Sequence, residues 1–413
     1  EETSYTNKED EAVVKVVLTI PKHVAELRQQ LEAKDIACYE ADIRFVYRYL
    51  IDQGIKGSLA ITGEFEKGEF VNRIYNEPKL EAADWKPKLN ILSFDIETSR
   101  DAKNIYCISL VQGSYQQVFL VSDKKLKHTT SFPNEKALLE AFAQKVQELD
   151  PDIITGWNVI DFDFAVLKKK FEQYRIPFKL GRTDWPARLK IQSNFFRESS
   201  ADIAGRTVLD GIHLMKASFV KLPDYRLDTA AHELLGKKKL IGHDNKGKEI
   251  DDAYKHNQQK LVDYNLLDSK LVLDILDKTG VVDLTVLRSM LTGMALDRVQ
   301  ASIASLDNVY LKELRKRKQV AVSNRFQERE ERTTGGYVMT GKPGIYDFVL
   351  VFDFKSLYPS IIRTFNIDPF TITKATKDVI VAPNGAHFIR KPGILPLLIQ
   401  RLWEERDAAK KRK

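Results

Sequence analysis

The stretch Leu89–Arg100, LNILSFDIETSR, constrains this chain more than any other. Leu89 to Phe94 is an apolar, β-favouring run that reads as a buried strand, and it ends abruptly in Asp95-Ile96-Glu97-Thr98. In extended backbone residues i and i+2 point the same way, so Asp95 and Glu97 present two carboxylates on one side of a strand end. Two anions held so close stay ionised cheaply only when a cation sits between them. In isolation the same residues also describe an exposed acidic strand end beside Lys or Arg. The rest of the chain must decide.

With 413 residues, the chain is long enough for roughly two to three domains. No apolar run approaches the ~20 residues of a membrane span, and no signal segment opens the sequence. Two cysteines, Cys38 and Cys107, make no disulfide framework, which points to a reducing cytoplasm. The first residue is Glu1 rather than Met, as in a processed or cut chain. The formal net charge is +7, unevenly spread: residues 1–88 hold 13 Lys+Arg against 17 Asp+Glu, leaving +11 for residues 89–413. Positive excess on the part that carries the motifs suits a polyanion partner, although ordinary surface Lys and Arg would look the same.

In order, residues 1–88 contain a strand-like Val13–Ile20 and an amphipathic pattern through Pro21–Ala33, which reads as a small α+β domain. Trp85-Lys86-Pro87-Lys88 marks its boundary, since Pro87 favours extended backbone before it and cannot donate to a ladder. Three strands follow (Asn90–Phe94, Ile105–Leu110, Gln117–Val121), then a helix capped by Asn134 with Leu138, Phe142, Val146 and Leu149 on one face, then a strand at Asp152–Thr155. Short turns make the first three antiparallel, and the helix crossover returns a parallel strand. This order resembles the ribonuclease H-like layout. The ends of Asn90–Phe94 and Asp152–Thr155 should then adjoin, since ligands in such sheets sit at the carboxyl ends of parallel strands.

Gly156–Asp163, GWNVIDFD, turns from that strand into a helix. Helix capping explains one of its two acids, Asp161 or Asp163, but not both. Downstream, Thr207–Leu209 reads as a strand ending in Asp210, Leu227–Leu235 as a helix closed by Gly236, and Lys237–Asn245 as a surface loop. Leu261–Leu276 is a strong amphipathic helix on which Tyr264 and Asp268, four apart, share a face. Such a pair is more often the solvent side of a helix. With Asp95, Glu97 and Asp163 already indicating a cation site, a fourth acid and a hydroxyl gain a chemical meaning.

Four carboxylates from distant parts of a chain can hold two divalent cations roughly 3.5–4 Å apart, the arrangement that phosphodiester chemistry uses. Oxygen-only ligands favour Mg²⁺ or Mn²⁺, and the seven His are scattered, which argues against zinc. At this point the chain resembles the family B DNA polymerases, nearest to their bacterial members. D-I-E-T at Asp95–Thr98, N-x-x-x-F-D at Asn158–Asp163 and Y-x-x-x-D at Tyr264–Asp268 match that family's three proofreading exonuclease motifs in order and spacing. The resemblance implies a two-ion site with Asp95, Glu97, Asp163 and Asp268 as metal ligands and Tyr264 at the attacking water. It also implies that Thr98, Asn158, Phe162 and Leu227 touch a single-stranded 3′ end. Arg226 stands where many members have Ser or Thr, and offers a phosphate contact instead of a hydroxyl.

Further on, the basic Lys312–Lys318 and the charge-dense Arg325–Arg332 precede Gly335-Gly336-Tyr337, which resembles the family's Gly-Gly loop between modules, with Thr333 where many members have Tyr. Phe348–Phe354 reads as an apolar strand delivering Asp353, followed by a helix, and DFKSLYPSII resembles the family's first palm motif. By that resemblance Asp353 binds the metal of the incoming nucleotide, Tyr358 stacks under its sugar, and Arg406 and Lys410, four apart on one helical face, hold the triphosphate. No K-x-x-x-N-x-x-Y-G and no Y-G-D-T-D-S segment follows, so the second palm carboxylate is missing and this chain is expected to trim DNA rather than polymerise it.

The fold expected is α/β and multi-domain: an N-terminal α+β domain at 1–88, a ribonuclease H-like 3′→5′ exonuclease domain at 89–290, and a linker with an incomplete palm and the start of the fingers at 291–413. The partners implied are DNA as a single-stranded 3′ end or primer-template, nucleoside triphosphate and a sliding clamp for the intact polymerase, in replication or repair at the bacterial nucleoid, with no membrane. Two other readings remain open. A stand-alone nuclease with the same acids would have no use for DFKSLYPSII, and a non-catalytic DNA-binding remnant would have no need of the acids.

Overall fold

The computed structural model describes residues 1–192, 199–237, 246–323 and 339–412. These form two compact units, residues 55–305 and residues 1–54 with 306–413. Among the described residues no helix is long and apolar enough to cross a membrane. The segments Arg325–Arg332 and Gly335–Tyr337, with Thr333, lie outside the described residues, as does all of the Lys237–Asn245 loop except Lys237.

The larger unit is built on six strands. They are β1 (Ile91–Thr98), β2 (Ile105–Gln112), β3 (Tyr115–Val121), β4 (Thr129–Phe132), β5 (Ile153–Gly156) and β6 (Thr207–Asp210), in the spatial order β4-β3-β2-β1-β5-β6. β1, β2 and β3 are antiparallel and β5 runs parallel to β1, as the sequence predicts; β6, expected as a strand, pairs parallel to β5. The short β4, parallel to β3 at the edge, is an addition to that expectation.

Alternation along β1 explains how the sheet is covered. Leu92, Phe94 and Ile96 face one side, where they join a core with Leu138, Phe142 and Val146 of α1 (Glu135–Leu149) and Leu167 and Phe171 of α2 (Ala165–Gln173). Asn134 caps α1, its Oδ1 accepting from the Ala137 amide at 2.9 Å. The other face of the sheet carries Ser93, Asp95 and Glu97 and is covered by the long helix Gln258–Thr279. Three further helices lie before it in the chain: α3 (Gly211–Ala217), α4 (Leu227–Leu235) and α5 (Lys246–His256), so it is numbered α6. The α6 surface is divided. Leu261, Val262 and Leu266 pack on Cys107, Val111 and Val118, and Leu271, Val272 and Ile275 pack with Ile153, Trp157 and Leu209. Between these apolar patches lies a buried polar band of Tyr264, Asn265, Asp268 and Ser269.

Gly156 sits where the ends of β1 and β5 adjoin, as expected. A Cβ there would stand 2.7 Å from the Phe94 carbonyl oxygen and 2.9 Å from Val159 Cβ. Gly156→Ala should therefore destabilise the unit by about 1–3 kcal/mol, the cost of overpacking against backbone, read from denaturant melts. An unchanged midpoint would show that the strands part without strain.

In the smaller unit, Glu2–Thr6 pairs with Ala12–Val14, so of the strand expected at Val13–Ile20 only the first two residues join a ladder. Thr6 and Tyr39 bridge to Gln319 and Val322, and the buried Glu40 carboxylate takes Arg315 at 2.6 Å and the Ala321 amide at 2.9 Å. The expected strand Phe348–Phe354 is in no ladder. It pairs with no described segment, and its apolar side chains are exposed, Phe348 at 100% and Phe352 at 88%. The helix after it, Leu357–Thr364, forms as expected.

Candidate active site

The polar band of α6 lies against the acid-bearing side of β1. Asp95, Glu97 and Asp268 each offer a carboxylate oxygen, and the three oxygens all lie within 4.8 Å of one another. Glu97 and Asp268 are buried, at 3% and 2% exposure. Tyr264 is buried too, at 1%, so the Tyr264–Asp268 pair is not the solvent side of the helix. Burial and the charges of Asp268, Glu97 and Asp95 push the Tyr264 phenol far above its usual range, and it stays protonated at any working pH.

Asp163 reaches the same neighbourhood from the other side of the strand end. After β5, Asn158 takes a left-handed conformation (φ 63°), and Ile160–Phe164 forms one π-helical turn before α2. This wide turn directs Asp163 inward, where Oδ1 accepts the Ile96 amide of β1 at 3.0 Å. Its neighbours Asp161 and Phe162 face solvent, Phe162 at 42% exposure. Burial, then the charge of Asp95, raises the Asp163 pKa well above the ordinary carboxylate value. Asp163 therefore neighbours the acidic group electrostatically without being one of the three acids whose oxygens cluster. Asp210, the expected acid at the end of β6, plays another part: it caps α3 through the Ile212 amide at 2.9 Å and accepts the Ile160 amide at 3.3 Å, bracing the turn that carries Asp163.

Such a donor set, carboxylate oxygens without nitrogen or sulfur, fits a hard divalent cation. A cationic side chain that sequence reading missed approaches the same acids. Lys246 Nζ, at the start of α5, lies 3.5 Å from Glu97 Oε1 and 5.4 Å above the Tyr264 ring. Partial burial alone would lower its pKa, but Glu97, Asp95 and Asp268 together hold it above the usual value. Nothing local in the sequence distinguishes Lys246 from the neighbouring lysines.

Of the residues expected to touch a DNA strand, Thr98 is buried at the end of β1, with Oγ1 donating to the Ser99 carbonyl. Leu227 is buried at the start of α4 in one cluster with Trp157, while Asn158 and Phe162 are exposed. Arg226 is held by Asp224 at 2.7 Å. In the smaller unit Asp353 is exposed and Tyr358 is 78% exposed. Arg406, on the helix Ile394–Arg412, donates to Ser356 Oγ at 3.2 Å, so the end of the DFKSLYPSII loop and this helix meet. Lys410 is exposed one turn further along.

Comparison with known proteins agrees with this architecture. Residues 36–230 match the family model for the exonuclease domain of family B DNA polymerases, and residues 294–412 match that for family B DNA polymerase. DNA polymerase II of Escherichia coli K12 is 34% identical over 401 residues, covering 93% of this chain and 50% of that protein. The DNA polymerase of Thermococcus sp. 9oN-7 is 28% identical, over 97% of this chain and 50% of that protein. The chain thus spans about half the length of the curated relatives it matches. In structure, the family B DNA polymerase of Pyrobaculum calidifontis superposes with a TM-score of 0.76 over 100% of this chain and 55% of its own, at 24% identity, a likeness of fold. An acid-bearing strand under a helix with a polar band, in a sheet of this order, together with these matches, makes the chain a member of the family B DNA polymerases, with an exonuclease domain and part of a polymerase domain.

Proposed function

We propose that the larger unit removes nucleotides from a single-stranded 3′ end of DNA, as the proofreading part of a template-directed DNA polymerase, with residues 89–290 as its nuclease domain. The observation that carries this reading is the convergence of Asp95, Glu97 and Asp268 at a strand end, with Asp163 beside them. These four acids would hold two Mg²⁺ or Mn²⁺ ions, which when bound supply charge neutralisation for the attacking water and the leaving 3′ oxygen. Tyr264, kept neutral by its surroundings, orients the water by hydrogen bonding rather than by taking its proton. Phe162, apolar and exposed four residues from Asn158, offers a ring on which a terminal base stacks. Thr98, Asn158 and Leu227 shape the path of the strand beside it.

For the smaller unit, the reading assigns Asp353 to the metal of an incoming nucleotide, Tyr358 to its sugar, and Arg406 and Lys410 to its triphosphate. The intact polymerase would then work on primer-template with nucleoside triphosphates and a sliding clamp, in the cytoplasm at the nucleoid.

A 5′-labelled single-stranded oligonucleotide tests the nuclease reading directly. With the purified chain and Mg²⁺ or Mn²⁺ it should shorten stepwise from its 3′ end, and EDTA should stop this. Intact substrate with either metal, or release of the label from the 5′ end, would refute the assignment.

A further inference from the structure

The residue after Tyr264 on α6 is Asn265, an amide with no exposed surface at all. Its Nδ2 donates to Asp95 Oδ2 at 2.7 Å and to the Asp95 main-chain oxygen at 3.2 Å. Both atoms are acceptors, so the NH₂ end of the amide must be the one that faces them. Burying an amide costs free energy; among the described residues Oδ1 finds no hydrogen-bond partner, and Nδ2 makes both of its bonds to a single residue.

The carboxylate of an aspartate turns through a broad, two-fold torsion, and Asp95 lies among Glu97, Asp268 and Asp163, all of which would repel it when ionised. Contact with both the side chain and the main chain of Asp95 removes that freedom, and because the donor is neutral it leaves the negative charge of the site intact. One turn along α6, Ser269 makes a different buried bond, to Ser109 Oγ of β2 at 2.6 Å; Ser109 donates on to the Asp95 main-chain oxygen at 3.4 Å, so the pair ties the helix to the sheet without touching an acid's side chain.

We infer that Asn265 is a positioning residue for metal binding: it fixes the Asp95 carboxylate in the orientation from which, with Glu97 and Asp268, it holds a divalent cation. The inference rests on the reading of Asp95 as a metal ligand. Replacing an outer hydrogen-bond partner of a metal ligand typically weakens metal binding by about 10- to 100-fold. Calorimetric titration of the metal-stripped full chain with Mn²⁺ tests it. Asn265→Ala should bind Mn²⁺ about 10- to 100-fold more weakly than the parent, and Asn265→Leu, which fills the same space without a donor, should match it. Ser269→Ala should melt at a lower temperature yet keep the parent's Mn²⁺ affinity.

If both folded Asn265 variants bind as tightly as the parent, the inference is wrong. It is equally wrong if Ser269→Ala weakens binding as much, because the effect would then be one of helix docking. Failure of the parent to bind Mn²⁺ at all would instead overturn the metal-site reading beneath it.

Discussion

Asp95→Ala or Asp268→Ala should slow 3′ trimming by about a hundred- to a thousandfold. Cation stabilisation of a phosphodiester transition state is worth several kcal/mol, and each ~1.4 kcal/mol is a factor of ten in rate. Either change removes one of three oxygens that lie within 4.8 Å of one another. Gel analysis of the labelled oligonucleotide at saturating Mg²⁺ measures the loss. The folded state should survive, because removing one of several mutually repelling acids relieves charge, which offsets the hydrogen bond that Asn265 loses in Asp95→Ala. Trimming at the parental rate in either folded variant would exclude the cluster as the reacting centre.

The second large effect concerns stability. Burial and the charge of Asp95 raise the Asp163 pKa, so the native, metal-free state holds that proton more tightly than the unfolded chain does. For a carboxylate shifted this way, stability is highest at low pH. It falls as pH rises from the unfolded value near 3.8 through the raised native one. Asp163→Asn keeps an oxygen to accept the Ile96 amide and removes the ionisation. In EDTA at pH 8 it should therefore be more stable than the parent by about 1 kcal/mol or more, the scale of an ill-matched buried group, or ~2–4 °C in melting temperature. The gain should shrink at pH 5, and nuclease activity should be lost with it. A parent that melts higher than the variant at pH 8 in EDTA would contradict the pKa direction.

Much of this was legible in the sequence because it was written locally. Alternation in Ile91–Thr98, an asparagine cap before Glu135 and the Tyr264–Asp268 spacing each depend on neighbours a few residues apart. They gave the central strand order and the strand ends that adjoin at Gly156. What was not legible depends on distance. Thr6 pairs with Gln319, and no local pattern announces a partner three hundred residues away. The four-residue β4 is too short and polar to show a period of two. Phe348–Phe354 has the composition of a strand, but strand formation needs an edge to pair with, which composition does not report.

The site residues divide in the same way. The carboxylates stand at short spacings, D-x-E and Y-x-x-x-D, that can be read locally, and the family resemblance named them as expected metal ligands. Asn265 and Lys246 reach the acids only because of where α5 and α6 dock, and asparagine or lysine on a helix carries no mark of that. The one hint was position, since Asn265 lies inside Y-x-x-x-D, one residue from the face of Tyr264.

β1 lies in the interior of the sheet, bonded to β2 on one side and β5 on the other, with helices above and below. Amide protons along such a strand can exchange with solvent only when the whole unit opens. Many enzymes lose activity early on heating because their reacting groups ride on loops that fray first. Here two of the acids are fastened to what should be the last piece to come apart, so inactivation and global unfolding of this unit should be the same event.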